Sequence, residues 1–138
     1  MKSRLVFDTN CLISAMLSPD SIVANCFRKA LENGVILTSE DCFEELIEVL
    51  KRPKFKKYFT ESQIEYITDV LTQQLVFQKV ESKVSACRDT KDNKFLSLAK
   101  DSNAKYLITG DLDLLQMLKY EETEIITPRS YLENTNEP

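Results

Sequence analysis

Short, continuous apolar runs set between stretches of helical period constrain this chain most. The segments from Arg4 to Phe7, Val35 to Thr38 and Tyr106 to Thr109 are too short for helices and carry β-branched or aromatic members. A strand covered on both faces has that appearance, whereas a half-exposed strand alternates apolar with polar residues. Between these runs apolar residues recur three and four apart. Ile22, Val23, Cys26, Phe27, Ala30 and Leu31 form one such stripe, and Phe43, Leu46, Ile47 and Leu50 a second. Ile64, Ile67, Leu71 and Leu75 form a third. Strands alternating with helices predict an α/β fold with a parallel sheet covered on both faces.

Local punctuation supports this division. Ser18-Pro19-Asp20-Ser21 is a turn and N-cap cluster, and Asn33-Gly34 stops the helix that follows it. Ser39 caps the second helix and Arg52-Pro53 ends it, while Thr60 with Gln63 forms a capping box for the third. Val76 to Val80 reads as a further strand. Leu112, Leu114, Leu115 and Leu118 suggest a short helix, Ile125-Ile126 a last strand, and Pro128 to Leu132 a final helical turn before a frayed tail from Glu133. With no repeat or linker, residues 1–138 read as a single domain. At 43% hydrophobic the chain can build a core without disulfides or a structural metal.

The chain contains no histidine. That removes Ser-His-Asp and Cys-His catalysis, H-E-x-x-H zinc sites and RNA cleavage by paired histidines. Cys11, Cys26, Cys42 and Cys87 are widely spaced and form no C-x-x-C, so they read as reduced, mostly buried thiols without an activating base. No run approaches the roughly 18 apolar residues of a membrane span, which predicts a cytoplasmic protein with no membrane partner. A net charge of −4 argues against general electrostatic binding to nucleic acid but leaves room for a local basic patch.

What survives is carboxylate chemistry. Asp8 directly follows Leu5-Val6-Phe7, and Asp111 follows Tyr106 to Gly110. If those two runs are neighbouring parallel strands, both acids stand on the rim where open α/β sheets bind ligands. Either can equally cap the helix that follows, and both roles can hold together. Further acids stand near element ends in Glu40 to Glu48, at Asp89 and Asp92, and at Asp113, although most of the 22 acidic residues are surface charge. On a helix turning about 100° per residue, Glu45 borders Cys42 and Val49 at the edge of the apolar stripe. Glu44, on the opposite edge beside Ile47, is the alternative. Gathered carboxylates repel unless a cation neutralises them, and an oxygen-only set suits Mg²⁺ or Mn²⁺ rather than Zn²⁺.

Four segments in order, Val6-Phe7-Asp8-Thr9-Asn10, Ser39 to Leu50 with Glu45-Leu46, Arg88-Asp89-Thr90-Lys91-Asp92-Asn93-Lys94-Phe95-Leu96, and Leu107 to Leu115, resemble the PIN-domain family. The Arg88 to Asp92 segment and Lys51-Arg52-Pro53-Lys54-Phe55 look like its bacterial toxin-antitoxin members, relatives of VapC-type ribonucleases. The resemblance implies a three-layer α/β/α sandwich and an endoribonuclease site dependent on Mg²⁺ or Mn²⁺. It carries the catalytic and metal-binding set onto Asp8, Glu45, Asp92 and Asp111. Asp113 would be a further ligand, and Asp89, Asn10 and Thr109 auxiliary groups holding a carboxylate or water. It also implies an RNA substrate, a cognate antitoxin protein and a homodimer.

Lys51, Arg52, Lys54, Lys56 and Lys57 form a basic run interleaved with Phe55, Tyr58 and Phe59. Such a run is either a solvated helix end complementing the macrodipole or a phosphate-tracking patch with aromatics for base stacking. The aromatics can equally be core or dimer contacts. Arg88, Lys91 and Lys94, beside the acids, are further candidates for RNA contact. Two rival classes stand beside the nuclease: a non-catalytic RNA- or protein-binding module, and a Mg²⁺-dependent phosphotransfer or phosphatase domain. Against the latter, Asn10 stands where a dehalogenase-type phosphatase would place its second aspartate.

Overall fold

The computed structural model describes residues 2–135. Among them, β1 (Ser3–Phe7), β2 (Gly34–Thr38), β3 (Val76–Phe77), β4 (Tyr106–Ile108), β5 (Lys119–Tyr120) and β6 (Thr123–Ile126) make one sheet, in spatial order β3-β2-β1-β4-β6-β5. β1 pairs in parallel with β2 and β4, β2 with β3, and β4 with β6. β5 runs antiparallel to β6. The helices are α1 (Thr9–Leu17), α2 (Ile22–Asn33), α3 (Glu40–Leu50), α4 (Glu61–Gln74), α5 (Asn93–Ser102), α6 (Leu112–Leu115) and α7 (Pro128–Thr135).

The pleat divides the core into two layers. Leu5 and Phe7 of β1, Ile36 of β2 and Ile108 of β4 face one side, where they meet α1, α2, α3, α4 and Tyr131 of α7. Val6, Leu37, Leu107 and Ile125 face the other, where Phe95, Leu96 and Ala99 of α5 and Leu114 of α6 cover them. The result is a three-layer α/β/α sandwich. Leu5, Val6, Leu107 and Ile108 are wholly buried, each worth about 1.5–3 kcal/mol relative to an exposed position. Continuous apolar strands follow from this double coverage.

Helix starts fall where capping chemistry places them. The Ser21 and Ser39 hydroxyls accept from the amides of Ala24 and Cys42, and Thr60 and Gln63 make both bonds of the capping box. Other expectations are revised. α2 does stop at Asn33-Gly34, but Gly34 is extended at φ −150° and opens β2 directly. A Cβ there would lie 2.6 Å from the Ser3 carbonyl oxygen, so close approach of β1 is what requires glycine. The third strand is cut to Val76–Phe77. Leu112 and Leu118 are exposed, and Leu118 lies beyond α6 with φ 65°. α7 continues through Glu133 to Thr135, past the point where a frayed tail was expected; residues 136–138 lie outside the described residues.

From β1 the chain moves outward to β2 and β3, then returns to β4 on the other side of β1. The crevice beyond the carboxyl ends of β1 and β4 is therefore the topological switch point of the sheet.

Candidate functional site

The register Phe7↔Ile108 brings Asp8 and Asp111 to that crevice, and the Asp8 amide donates to the Ile108 carbonyl at 3.1 Å. Asp8 caps α1, its Oδ1 accepting from the Cys11 amide at 2.8 Å. Its other oxygen accepts from the Thr109 hydroxyl. Thr109, wholly buried, also accepts from the Asp111 amide at 2.9 Å. One threonine thus locks the strand-end acid to the loop carrying the second. Asp111 in turn caps α6 by accepting from the Asp113 amide at 2.8 Å, so capping and clustering coincide at both aspartates.

A short 3₁₀ turn, Thr90–Asp92, lifts two more acids into the crevice. Asp89 caps it, accepting from the Lys91 amide at 3.0 Å. One carboxylate oxygen from each of Asp89, Asp92 and Asp111 lies within 4.8 Å of the others. Asp92 is 9% exposed and its Oδ2 is buried without any hydrogen-bond partner. Burial is the main reason its carboxyl is pushed up to about 7. Asp111 adds to this by charge and by bonding the protonated form, followed by the charges of Asp89 and Asp8. Asp8 is also raised, chiefly by burial, against the lowering effect of its bonds to Thr109 and Cys11.

Glu45 reaches the same cleft from α3, while Glu44 is exposed. Cys42 and Val49 are buried beside it as the helical geometry predicts. Both Glu45 oxygens are engaged: Oε1 accepts from the Thr9 hydroxyl at 2.5 Å, and Oε2 contacts the Lys94 ammonium. The cleft has a volume of about 210 Å³ and is lined by Asp8, Glu45, Asp89, Asp92 and Asp111, with Asn10 and Thr9 at one wall and Arg52 and Lys91 among its cations. A larger hollow of about 880 Å³ near α3 and α4 gathers none of these acids.

The chemistry of the donor set is uniform. Carboxylate oxygens, one of them buried and orphaned, with no histidine in the chain, fit a hard divalent cation that retains waters. The thiols do not compete: burial pushes Cys26 up to about 12 and Cys42 to about 11.

Several sequence-predicted residues fall elsewhere. Asp113 does not line the cleft; it contributes its backbone amide to Asp111. Asp89, read as auxiliary, stands in the tightest acidic group instead. Lys94 spends its ammonium on Glu45. Phe59 is 8% exposed and packs in the core with half-buried Phe55, which leaves Tyr58, 51% exposed, as the aromatic of that run open to solvent. Lys51 and Lys56 border the larger hollow, Lys54 lies over the Phe55 ring, and Arg88 is exposed. Arg52 sits at the cleft and pairs with Glu48 at 3.6 Å. Thr9 and the Glu45–Lys94 pairing were not legible as site features, because nothing in the spacing relates α3 to α5.

Comparison with known proteins gives the fold and site their context. The family model described as PIN domain matches residues 4–113. An uncharacterized protein of Methanocaldococcus jannaschii is 31% identical over 143 residues, covering 96% of this chain and 92% of that protein. Among solved structures, a chain of VapBC2 from Rickettsia felis, crystallised bound to a DNA fragment from its promoter, superposes with a TM-score of 0.63 at 15% identity. The match covers 90% of this chain and 98% of that one, and at such identity it is a likeness of fold. Among the described residues no helix is long and apolar enough to cross a membrane.

Proposed function

Because the chain belongs to the PIN-domain family, we propose that its acidic cleft is the active site of an endoribonuclease dependent on Mg²⁺ or Mn²⁺. The observation that carries the reading is the buried, orphaned Oδ2 of Asp92, on a residue whose carboxylate gathers with those of Asp89 and Asp111. A buried, unpaired carboxylate oxygen is costly unless a cation completes it. Asp8, Asp89, Asp92 and Asp111 would hold the ion. Bound there, it would supply Lewis acidity toward a phosphate oxygen and lower the pKa of a water.

The chain's own groups do the remaining work. Thr109 fixes Asp8 and Asp111 relative to each other. Glu45, held by Thr9 and Lys94, orients the attacking water. Arg52 and Lys91 at the cleft wall suit the phosphates flanking the scissile bond. The water oxygen bonds to phosphorus as the bond to the 3′-oxygen breaks. A carboxylate takes the water's proton, and the leaving oxygen takes one from solvent, giving a 5′-phosphate and a 3′-hydroxyl.

The biological role follows the same reading: the toxin of a toxin–antitoxin pair, its partner an antitoxin protein. The likeness of fold to a chain of VapBC2 supports it, and co-purification with the product of a neighbouring gene would test it. The activity is tested by end-labelled RNA pools incubated with Mn²⁺, Mg²⁺ or EDTA. Metal-dependent cleavage that falls by orders of magnitude in Asp8→Asn is expected. RNA binding without cleavage, indifferent to metal, would instead favour a binding module.

A further inference from the structure

Beside Asp8, which is held by the Cys11 amide and the Thr109 hydroxyl, the acidic groups of the cleft fall into two sets with different partners. One carboxylate oxygen from each of Asp89, Asp92 and Asp111 lies within 4.8 Å of the others, none of the three forms an ion pair among the described residues, and Oδ2 of Asp92 is unpartnered. Glu45 lines the same cleft but is outside that group. Its two oxygens are occupied by the Thr9 hydroxyl and the Lys94 ammonium, and the side chains of Glu45 and Lys94 are 23% and 29% exposed.

The pair is anchored from both sides. Lys94 lies in the first turn of α5, two residues after Asp92, so its backbone is fixed to the turn that carries the aspartates. Glu45 lies on α3 between buried Cys42 and Val49, and the Cys42 thiol approaches the Lys94 carbonyl at 3.9 Å. Such a partly desolvated pair is costly to break on one side, because the remaining charge is left uncompensated. An ammonium is a compact point charge that can stand in a place a metal ion would otherwise take.

We propose that the cleft holds one divalent cation, on the aspartates, and that the Lys94 ammonium occupies the second cation position beside Glu45. The inference rests on the metal-dependent reading given above. Lys94 is thereby a positioning residue: its contact holds the Glu45 carboxylate in place and off the metal, at the edge of the cleft from which it directs water.

Calorimetric titration of the full chain with Mn²⁺ alone, checked by the electron paramagnetic resonance signal of free Mn²⁺, tests this. Wild type should bind one ion, and Glu45→Gln should still bind one with little change in affinity. Lys94→Gln, which uncovers the glutamate, should bind a second ion; the double variant Lys94→Gln/Glu45→Gln and the charge-retaining Lys94→Arg should return to one. Thermal melts of each variant show that it is folded. Two ions in wild type, or one ion in folded Lys94→Gln, would overturn the proposal while leaving the metal site intact. No Mn²⁺ binding to wild type would overturn both the proposal and the metal-dependent reading beneath it.

Discussion

In the metal-free protein, Asp92→Asn should stabilise the fold at alkaline pH. The native environment raises the Asp92 carboxyl from 3.8 to about 7, so the folded state binds a proton more tightly than the unfolded chain does. Between those values the unfolded chain has released its proton and the native protein has not, so stability falls as pH rises from 3.8 toward 7. Above the upper value the whole penalty is present. Such a shift corresponds to about 4 kcal/mol for an isolated group. Here the cleft opens to solvent and the neighbouring acids share the charge, which screens the penalty to about 2 kcal/mol. Asparagine keeps the shape and removes the charge. At pH 8 the variant should therefore melt roughly 5–8 °C above wild type in EDTA, and the difference should vanish near pH 4. Mn²⁺ should reverse the order, since an ion at 100 times its Kd adds about 2.7 kcal/mol to a protein that binds it and the variant has lost its central ligand. Differential scanning calorimetry across pH, with and without Mn²⁺, reads all of this. A variant less stable than wild type at pH 8 in EDTA, or a difference independent of pH, would refute the electrostatic argument.

Thr109→Val removes the hydroxyl that serves Asp8 and the Asp111 amide. It should lower stability by about 1–3 kcal/mol and Mn²⁺ affinity by about 10–100-fold, read by denaturant melts and calorimetry. Gly34→Ala places a Cβ 2.6 Å from the Ser3 carbonyl oxygen. Separating β1 from β2 to admit it should cost about 1–3 kcal/mol in urea unfolding. Thr60→Ala breaks the capping box of α4 and should cost about 1 kcal/mol with RNA cleavage unchanged, because α4 contributes nothing to the acidic cleft.

Features set by neighbouring residues were the legible ones. Ser21, Ser39 and Thr60 cap their helices through bonds spanning three residues, a distance over which sequence alone carries the geometry. Helical spacing favoured Glu45 over Glu44 for a similar reason, since it sets which glutamate borders Cys42 and Val49, and the exposure of Glu44 decides between them. Asp8 and Asp111 were placed by one condition, that their strands be parallel neighbours, and the sheet order satisfies it. α1 was less visible because Cys11, Leu12 and Ile13 are buried in succession, which blurs the helical period. Of the β5–β6 hairpin only β6 was legible, as Ile125-Ile126, because Glu121 takes φ 50° in a turn without glycine or asparagine. The place of Asp89 in the tight acidic group was less visible, because a 3₁₀ turn, too short to announce itself, aims it into the cleft. Lys94 meets Glu45 across 49 residues of sequence, a contact made only by the packing of α3 near α5.

The chemistry of the cut ends tests the central claim most directly. A synthetic RNA that the wild type cleaves in Mn²⁺ should yield fragments with 5′-phosphate and 3′-hydroxyl termini, identified by mass spectrometry, and no fragments in EDTA. Fragments ending in a 2′,3′-cyclic phosphate, or cleavage that persists in EDTA, would contradict hydrolysis by water at a carboxylate-held metal.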